Sequence, residues 1–126
     1  MEKEAADNKL LSTGDFQLKI FREINKLNNG KNLMVSPLSI YHILSLTANG
    51  AANKTLEEML KALSEKDLTE LNQNNKLIST SISSLKTIEL ANAVFTRFKP
   101  LDNFLKIIKE YKAKLDELKD ANQVNK

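Results

Sequence analysis

Cysteine and tryptophan are absent from this sequence, and histidine occurs once, at position 42. Without cysteine the chain has no disulfide framework and no thiolate metal site, which is compatible with a reducing compartment. A single histidine leaves a zinc site without its usual ligands, and His42 has no oriented acid with which to form a catalytic Ser–His arrangement. We therefore expect no metal, no cofactor and no enzymatic activity, and we interpret His42 as a core or edge residue.

A strong excess of charge of one sign is also missing. Nineteen Lys and Arg against sixteen Asp and Glu give a net charge of +3, and the two signs are interspersed along the chain. Nucleic-acid binding needs a clustered basic surface with aromatic side chains among the charges, so we expect no nucleic-acid partner. The N-terminal segment MEKEAADNKLLSTGDF lacks the basic-then-apolar order of a signal peptide. We predict a cytoplasmic protein, with an extracellular location reached by a non-classical route as the alternative.

Charged side chains are missing from the segment between Asn32 and Asn53, in a chain that is 28% charged overall. A membrane span needs about twenty predominantly apolar residues, whereas this segment is interrupted by proline, serine, histidine and threonine. We therefore expect no membrane partner. A helix is the better interpretation, because Ser36 is suited to the N-cap, Pro37 to the first helical position and Gly50 to the far end.

Apolar residues surround the axis of this predicted helix instead of forming one stripe. They are Leu38, Ile40, Tyr41, Ile43, Leu44, Leu46 and Ala48. A helix that is apolar all round belongs in the core of a larger protein, so it needs more neighbours than a chain of 126 residues supplies. On either side we predict a short buried strand at 32–35 and a helix opened by a capping box of Thr55 and Glu58.

The remaining segments predict three further helices and a strand. An apolar stripe over 16–27 predicts one helix, and a longer stripe with a polar middle predicts another over 67–85. The β-branched and aromatic residues of 88–96 favour a strand that Pro100 terminates. A helix follows Pro100, and by periodicity alone it extends through Leu115.

Seven short motifs follow one another along the chain: Asn32, SPLSI at 36–40, GA at 50–51, TLEEM at 55–59, LANAVF at 90–95, YKA at 111–113 and VNK at 124–126. In order and in spacing they resemble the motifs of the serpin family. Those between 32 and 59 are similar to the family's N-terminal signature, LANAVF to a strand of its central sheet, YKA to the segment after its fifth helix and VNK to the start of its sixth. The resemblance runs from about residue 8 to the last residue.

The resemblance implies an α+β fold that is incomplete, namely the mainly helical N-terminal part of a single serpin domain over residues 1–126. It assigns helices A to E, a short strand at 32–35 and two strands of the central sheet, near 87–98 and 112–118. The second of these strands conflicts with the periodicity, because the lysines and glutamate around Leu115 are good helix formers. We follow the family pattern.

A complete serpin traps a serine or cysteine protease irreversibly, as a suicide-substrate inhibitor. The protease cleaves an exposed reactive loop near the C-terminus, and the loop then inserts into the central sheet as a new strand. None of the loop, its hinge or the strands that flank the insertion site has a match in this sequence. The resemblance therefore implies an N-terminal fragment of a protease inhibitor that is not inhibitory alone, with the protease as a partner of the complete protein only. A stand-alone helical interaction module, derived from a serpin that has lost inhibition, is the alternative.

The site implied by the resemblance is the shutter, where small hydroxyl side chains permit the central sheet to part and close again. The matching residues are Ser36, Pro37 and Ser39, with Asn32, Gly50 and Thr55 in the same structural signature. From the residues alone, Ser36 and Pro37 are an ordinary N-cap and first-turn proline. Small size and hydrogen-bonding capacity are what a shutter requires, because packed cores switch between discrete arrangements.

Strands and apolar faces that lack their neighbours invite association. In this chain the predicted helix at 37–48 and the two predicted central-sheet strands are without most of the partners that the family fold gives them. We therefore expect the isolated chain to be partly molten or to self-associate.

Overall fold

A computed structural model of the chain describes Glu4 and residues 14–118. Five helices and two strands are described: α1 (Gly14–Leu27), α2 (Pro37–Ala48), α3 (Asn53–Leu63), α4 (Leu68–Ser84), β1 (Asn92–Thr96), α5 (Asp102–Glu110) and β2 (Ala113–Glu117). They fall into two compact units that divide at Leu90. The motif at 124–126, which resembles the start of a sixth helix, lies outside the described residues.

The first unit is a cluster of four helices in which α1, α3 and α4 each pack against α2. Its buried core is formed by Phe16, Tyr41, Ala48, Leu63, Leu71, Ile78 and Ile82. The rings of Phe16 and Tyr41 lie 5.9 Å apart and are tilted by 54°, a geometry that aromatic pairs favour. The apolar stripes predicted for 16–27 and 67–85 therefore form helices with bounds close to those expected.

Helix α2 begins as predicted. Ser36 is the N-cap, its Oγ accepts a hydrogen bond from the backbone N–H of Ser39, and Pro37 occupies the first turn. The helix ends at Ala48. Its C-cap, Asn49, keeps a right-handed helical backbone conformation, with φ −66° and ψ −19°. The backbone N–H of Gly50 donates to the Thr47 carbonyl at 2.9 Å, so a tightened last turn closes the helix.

Burial on α2 is one-sided rather than complete. Its buried residues are Tyr41, His42, Ser45, Leu46 and Ala48. Ile43 is 51% exposed on the same helix, and Thr47 is exposed as well. The helix therefore presents an apolar side chain for which the first unit supplies no cover.

Two local predictions are wrong. Residues 32–35 form no strand: a strand is stabilised by pairing, and the two described strands pair only with each other. Helix α3 begins at Asn53 rather than at a Thr55 cap, and its N-cap, Ala52, makes no side-chain hydrogen bond. Thr55 is thus inside the helix, where it has no free N–H two or three residues ahead to cap.

The second unit is a βαβ arrangement in which β1 and β2 pair in parallel and α5 connects them. The register runs from Asn92 opposite Ala113 to Thr96 opposite Glu117. Both strands are shorter than the predicted 87–98 and 112–118. Their pairing covers five residues of each strand.

Strand β2 contradicts the longer helix that the apolar periodicity predicted through Leu115. Helix α5 stops at Glu110, well short of Leu115. The backbone turns at Lys112, whose φ of 52° lies in the left-handed region, and its N–H donates to the Lys109 carbonyl at 2.9 Å. Helix propensity carries no information about such a turn, so the family pattern located this strand and the residue spacing did not.

Candidate functional site

Metal-ligating side chains are not clustered in the part of the chain that the structure describes. Among them, no group of three or more His, Cys, Asp or Glu side chains is placed to hold a metal ion. None of the described helices is long and apolar enough to cross a membrane.

A pair of serine hydroxyls lies at the start of α2. The Oγ atoms of Ser36 and Ser39 are 2.8 Å apart, and the Ser39 N–H donates to Ser36 Oγ at 3.3 Å. Ser36 is exposed and Ser39 is half-buried. The pair satisfies itself across the first turn, and each hydroxyl can rotate to exchange its partner. This chemistry suits a contact that breaks and re-forms.

The other residues of the predicted signature have separate places. Pro37 is half-buried beside Ser36, whereas Asn32, Gly50 and Thr55 are exposed. No hydrogen bond between described side chains joins these three to the serine pair. The structure thus brings together Ser36, Pro37 and Ser39, and leaves Asn32, Gly50 and Thr55 as local features of their own segments.

A carboxylate that sequence reasoning missed joins three parts of the first unit. Glu65 accepts a hydrogen bond from the hydroxyl of Tyr41 at 2.7 Å and another from Asn74 Nδ2 at 2.8 Å. Glu65 follows Ser64, whose φ of 59° ends α3 in the left-handed conformation. The backbone N–H of Glu65 donates to the Leu60 carbonyl at 2.9 Å. One side chain therefore ties the α3–α4 turn to both α2 and α4.

A second polar contact links α2 and α4. Asn49 and Asn72 exchange two amide hydrogen bonds of 2.9 and 2.8 Å, and Asn49 also donates to the Ser45 carbonyl. The polar middle of α4, NQNNK at 72–76, is the sequence feature that could have indicated this contact, because polar residues in register with an apolar stripe need partners when they are buried. Their partners are distant in sequence, so spacing did not identify them.

His42 is almost fully buried, at 1% exposure, which supports its interpretation as a core residue. Burial lowers the pKa of His42 below its ordinary 6.5, and the nearby side chain of Asn75 acts in the opposite direction. The ring of Tyr41 meets it edge-on at 6.3 Å. The imidazole is therefore held neutral near neutral pH, within the α2–α4 contact.

Removing the Glu65 carboxylate should destabilise the first unit. Glu65→Ala leaves the hydroxyl of Tyr41 and the amide of Asn74 without their acceptor, at a cost of about 1–3 kcal/mol. Glu65→Gln keeps one acceptor and should cost less, and Glu57→Ala, on the exposed face of α3, should stay within about 0.5 kcal/mol. Urea unfolding followed by circular dichroism at one protein concentration compares the three, and equal losses for Glu65→Ala and Glu57→Ala would contradict the network.

Comparison with known proteins identifies one family. The family model described as "Serpin (serine protease inhibitor)" matches residues 11–126. The chain is 33% identical over 107 residues to a leukocyte elastase inhibitor of Xenopus laevis, which covers 79% of this chain and 28% of that protein. It is 32% identical over 114 residues to a serine protease inhibitor of Mus musculus, covering 85% of this chain and 26% of that protein.

A solved structure shares the fold. Reactive-loop-cleaved human thyroxine-binding globulin superposes with a TM-score of 0.69 and 24% sequence identity, over 91% of this chain and 38% of that chain. The chain therefore spans only about a quarter to two fifths of the relatives that it matches.

Proposed function

The chain belongs to the serpin family, and we propose that it is the N-terminal part of a serpin-type protease inhibitor. The observation that carries the proposal is the family match over residues 11–126, together with relatives that are named as inhibitors of leukocyte elastase and of serine proteases. In the complete protein the partner would be a serine or cysteine protease, trapped irreversibly as a suicide substrate. These 126 residues would supply the helical frame and two strands of the sheet.

Within that function we propose that Ser36 and Ser39 act as shutter hydroxyls. Three features support this role: the Oγ–Oγ contact of 2.8 Å, the half-burial of Ser39 and the position of both residues at the start of the helix that is central to the first unit. Because Ser36 is exposed and Ser39 is half-buried, either hydroxyl can exchange its partner for another when a neighbouring strand moves, so that no polar group is left unpaired.

The chain alone should neither inhibit nor covalently trap a protease, because no residues here match the family's reactive loop. The test is incubation with a panel of serine and cysteine proteases, followed by denaturing gels and residual-activity assays. We expect full protease activity and no new band. An SDS-stable complex at the sum of the protease mass and 14.2 kDa would overturn the expectation, and specific capture of another protein without inhibition would favour the interaction-module alternative.

The isolated chain should self-associate. Met34 is 97% exposed and Ile43 is 51% exposed in the first unit, and exposed apolar side chains and open strand edges both promote association. Light scattering coupled to size exclusion should give a mass above 14.2 kDa that rises with concentration. The double change of Met34 and Ile43 to Ser should lower that mass, and Thr47→Ser should not. A monomer at every concentration, with one sharp unfolding transition, is the contrary result.

A further inference from the structure

Asparagine directly precedes two of the three glycines of this chain, as Asn29-Gly30 and Asn49-Gly50. Such a pair is open to a reaction of its own, because glycine has no Cβ to keep its backbone nitrogen away from the preceding side-chain amide. The two pairs have the same chemistry and differ in their surroundings. The structure therefore decides which of them reacts.

Asn29 and Gly30 lie in an exposed turn after α1. The N–H of Lys31 closes this turn by donating to the Asn28 carbonyl at 3.0 Å, and Gly30 has a φ of 78°, as the third residue of a type II turn requires. Within the described residues, no hydrogen bond holds the side chain of Asn29 or the N–H of Gly30. The amide and the nitrogen that would attack it are thus both open to solvent.

Asn49 and Gly50 are held by their neighbours. The Nδ2 of Asn49 donates to the Ser45 carbonyl and to Asn72 Oδ1, both at 2.9 Å, and its Oδ1 accepts from Asn72 Nδ2 at 2.8 Å. The N–H of Gly50 donates to the Thr47 carbonyl at 2.9 Å. Both reacting groups of this pair are therefore occupied as long as α2 and α4 stay in contact.

We propose that Asn29 is a site of spontaneous deamidation and that the fold protects Asn49 from the same reaction. Water takes the N–H proton of Gly30 as the nitrogen attacks Cγ of Asn29. The N–Cγ bond forms, the Cγ–Nδ2 bond breaks, and Nδ2 leaves with a proton as ammonia. The product is a cyclic imide, to which a second water adds. Overall, water enters and ammonia leaves, and nothing is oxidised or reduced.

The imide opens to either of two products. Addition of water at Cγ gives aspartate, whereas addition at the backbone carbonyl gives isoaspartate, in which the backbone runs through Cβ and Cγ. Either product lowers the net charge of +3 by one. The new carboxylate lies just beyond the C-terminal end of α1 at Leu27, where the helix dipole disfavours a negative group. This modification goes beyond the proposed inhibitor function and does not rest on it.

Incubation of the 126-residue chain in mildly alkaline buffer, followed by tryptic digestion and mass spectrometry, tests the proposal. Trypsin cleaves after lysine and so places the two pairs in separate peptides, 27–31 and 32–54, and fragmentation locates the converted residue in each. We expect conversion at Asn29 to be at least about tenfold faster than at Asn49, which reacts only after its hydrogen bonds open.

The same chain unfolded in urea is the reference. Without the fold the rates at Asn29 and Asn49 should converge, since both asparagines precede glycine. The incubation runs until half of the unfolded reference has converted, and a sample taken at the start corrects for conversion during digestion.

Two variants give opposite expectations. Gly30→Ala places a methyl group beside the attacking nitrogen, so most of the conversion at Asn29 should be lost while that at Asn49 stays unchanged. Asn72→Ala removes the side chain that holds the amide of Asn49 from α4, so conversion at Asn49 should rise by up to about tenfold while that at Asn29 stays unchanged.

The proposal is overturned if the folded chain converts Asn49 as fast as Asn29, or if it converts neither while the unfolded reference converts both. A Gly30→Ala variant that still converts Asn29 at the wild-type rate would also overturn it. If Asn72→Ala leaves Asn49 unreactive, the contact with α4 is not what protects that residue.

Discussion

Replacing Leu71 by Ala should lower the free energy of unfolding of the first unit by about 2–5 kcal/mol. Leu71 is fully buried and belongs to the core cluster that also contains Tyr41 and Ile78. The substitution removes buried methyl groups and leaves a cavity in the part of α4 that packs on α2. Hydrogen-bonded neighbours limit the collapse of that cavity, since Asn75 donates to the Leu71 carbonyl and Asn74 to Glu65.

The matched control for Leu71→Ala is Lys76→Ala, on the exposed surface of the same helix. Alanine is a good helix former, so this change should stay within about 0.5 kcal/mol. Urea unfolding monitored by helical circular dichroism, at one fixed protein concentration, measures both. If the two variants unfold at the same urea concentration, Leu71 is not a core residue and the packing of α4 on α2 is wrong.

Much of the helical frame could be predicted because its signals are local. The stripe of α1 lies within one segment of chain, and the capping residue Ser36 stands directly before the helix that it caps. The N-cap of α4 is equally local, since Asp67 accepts from the N–H of Glu70 at 2.8 Å. Such contacts depend on residues two to four positions apart, which a sequence displays directly.

The errors arise where structure depends on distant partners or on a single backbone angle. A strand at 32–35 needs a partner strand, and the two described strands pair only with each other. Helix α3 begins at Asn53, whose φ of 52° is left-handed. This is two residues before Thr55, where the sequence predicted the capping box. Helix α5 likewise ends at Glu110, just before the left-handed Lys112, whereas helix propensity alone predicts a longer helix.

The sequence located the serine pair but not the contacts of Glu65. Ser36, Pro37 and Ser39 came from a family motif, and the hydroxyl contact between the two serines follows from their three-residue spacing on a helix. Glu65 escaped prediction because its partners Tyr41 and Asn74 lie 24 and 9 residues away. No short-range pattern encodes such separations.

The shutter proposal gives the second large effect, in the longer protein that we propose contains this chain. Ser39→Phe inserts a large ring where a half-buried hydroxyl now contacts Ser36 at 2.8 Å. Overpacking of a dense core costs about 1–3 kcal/mol, and behind a sheet that opens, the ring should also hold the sheet apart. Loop-into-sheet polymers between molecules should follow. By comparison, Ser36→Ala removes only the N-cap acceptor and should cost about 1 kcal/mol.

The most direct measurement is therefore a comparison of Ser39→Phe, Ser36→Ala and wild type in that longer protein, by denaturant midpoint and by native gel after mild heating. We predict that Ser39→Phe lowers the midpoint more than Ser36→Ala does and forms a ladder of polymers, whereas Ser36→Ala lowers the midpoint without polymers. An exposed serine would instead tolerate phenylalanine within about 0.5 kcal/mol. If Ser39→Phe leaves both the midpoint and the gel unchanged while Ser36→Ala lowers the midpoint, α2 is capped as described and the shutter assignment is wrong.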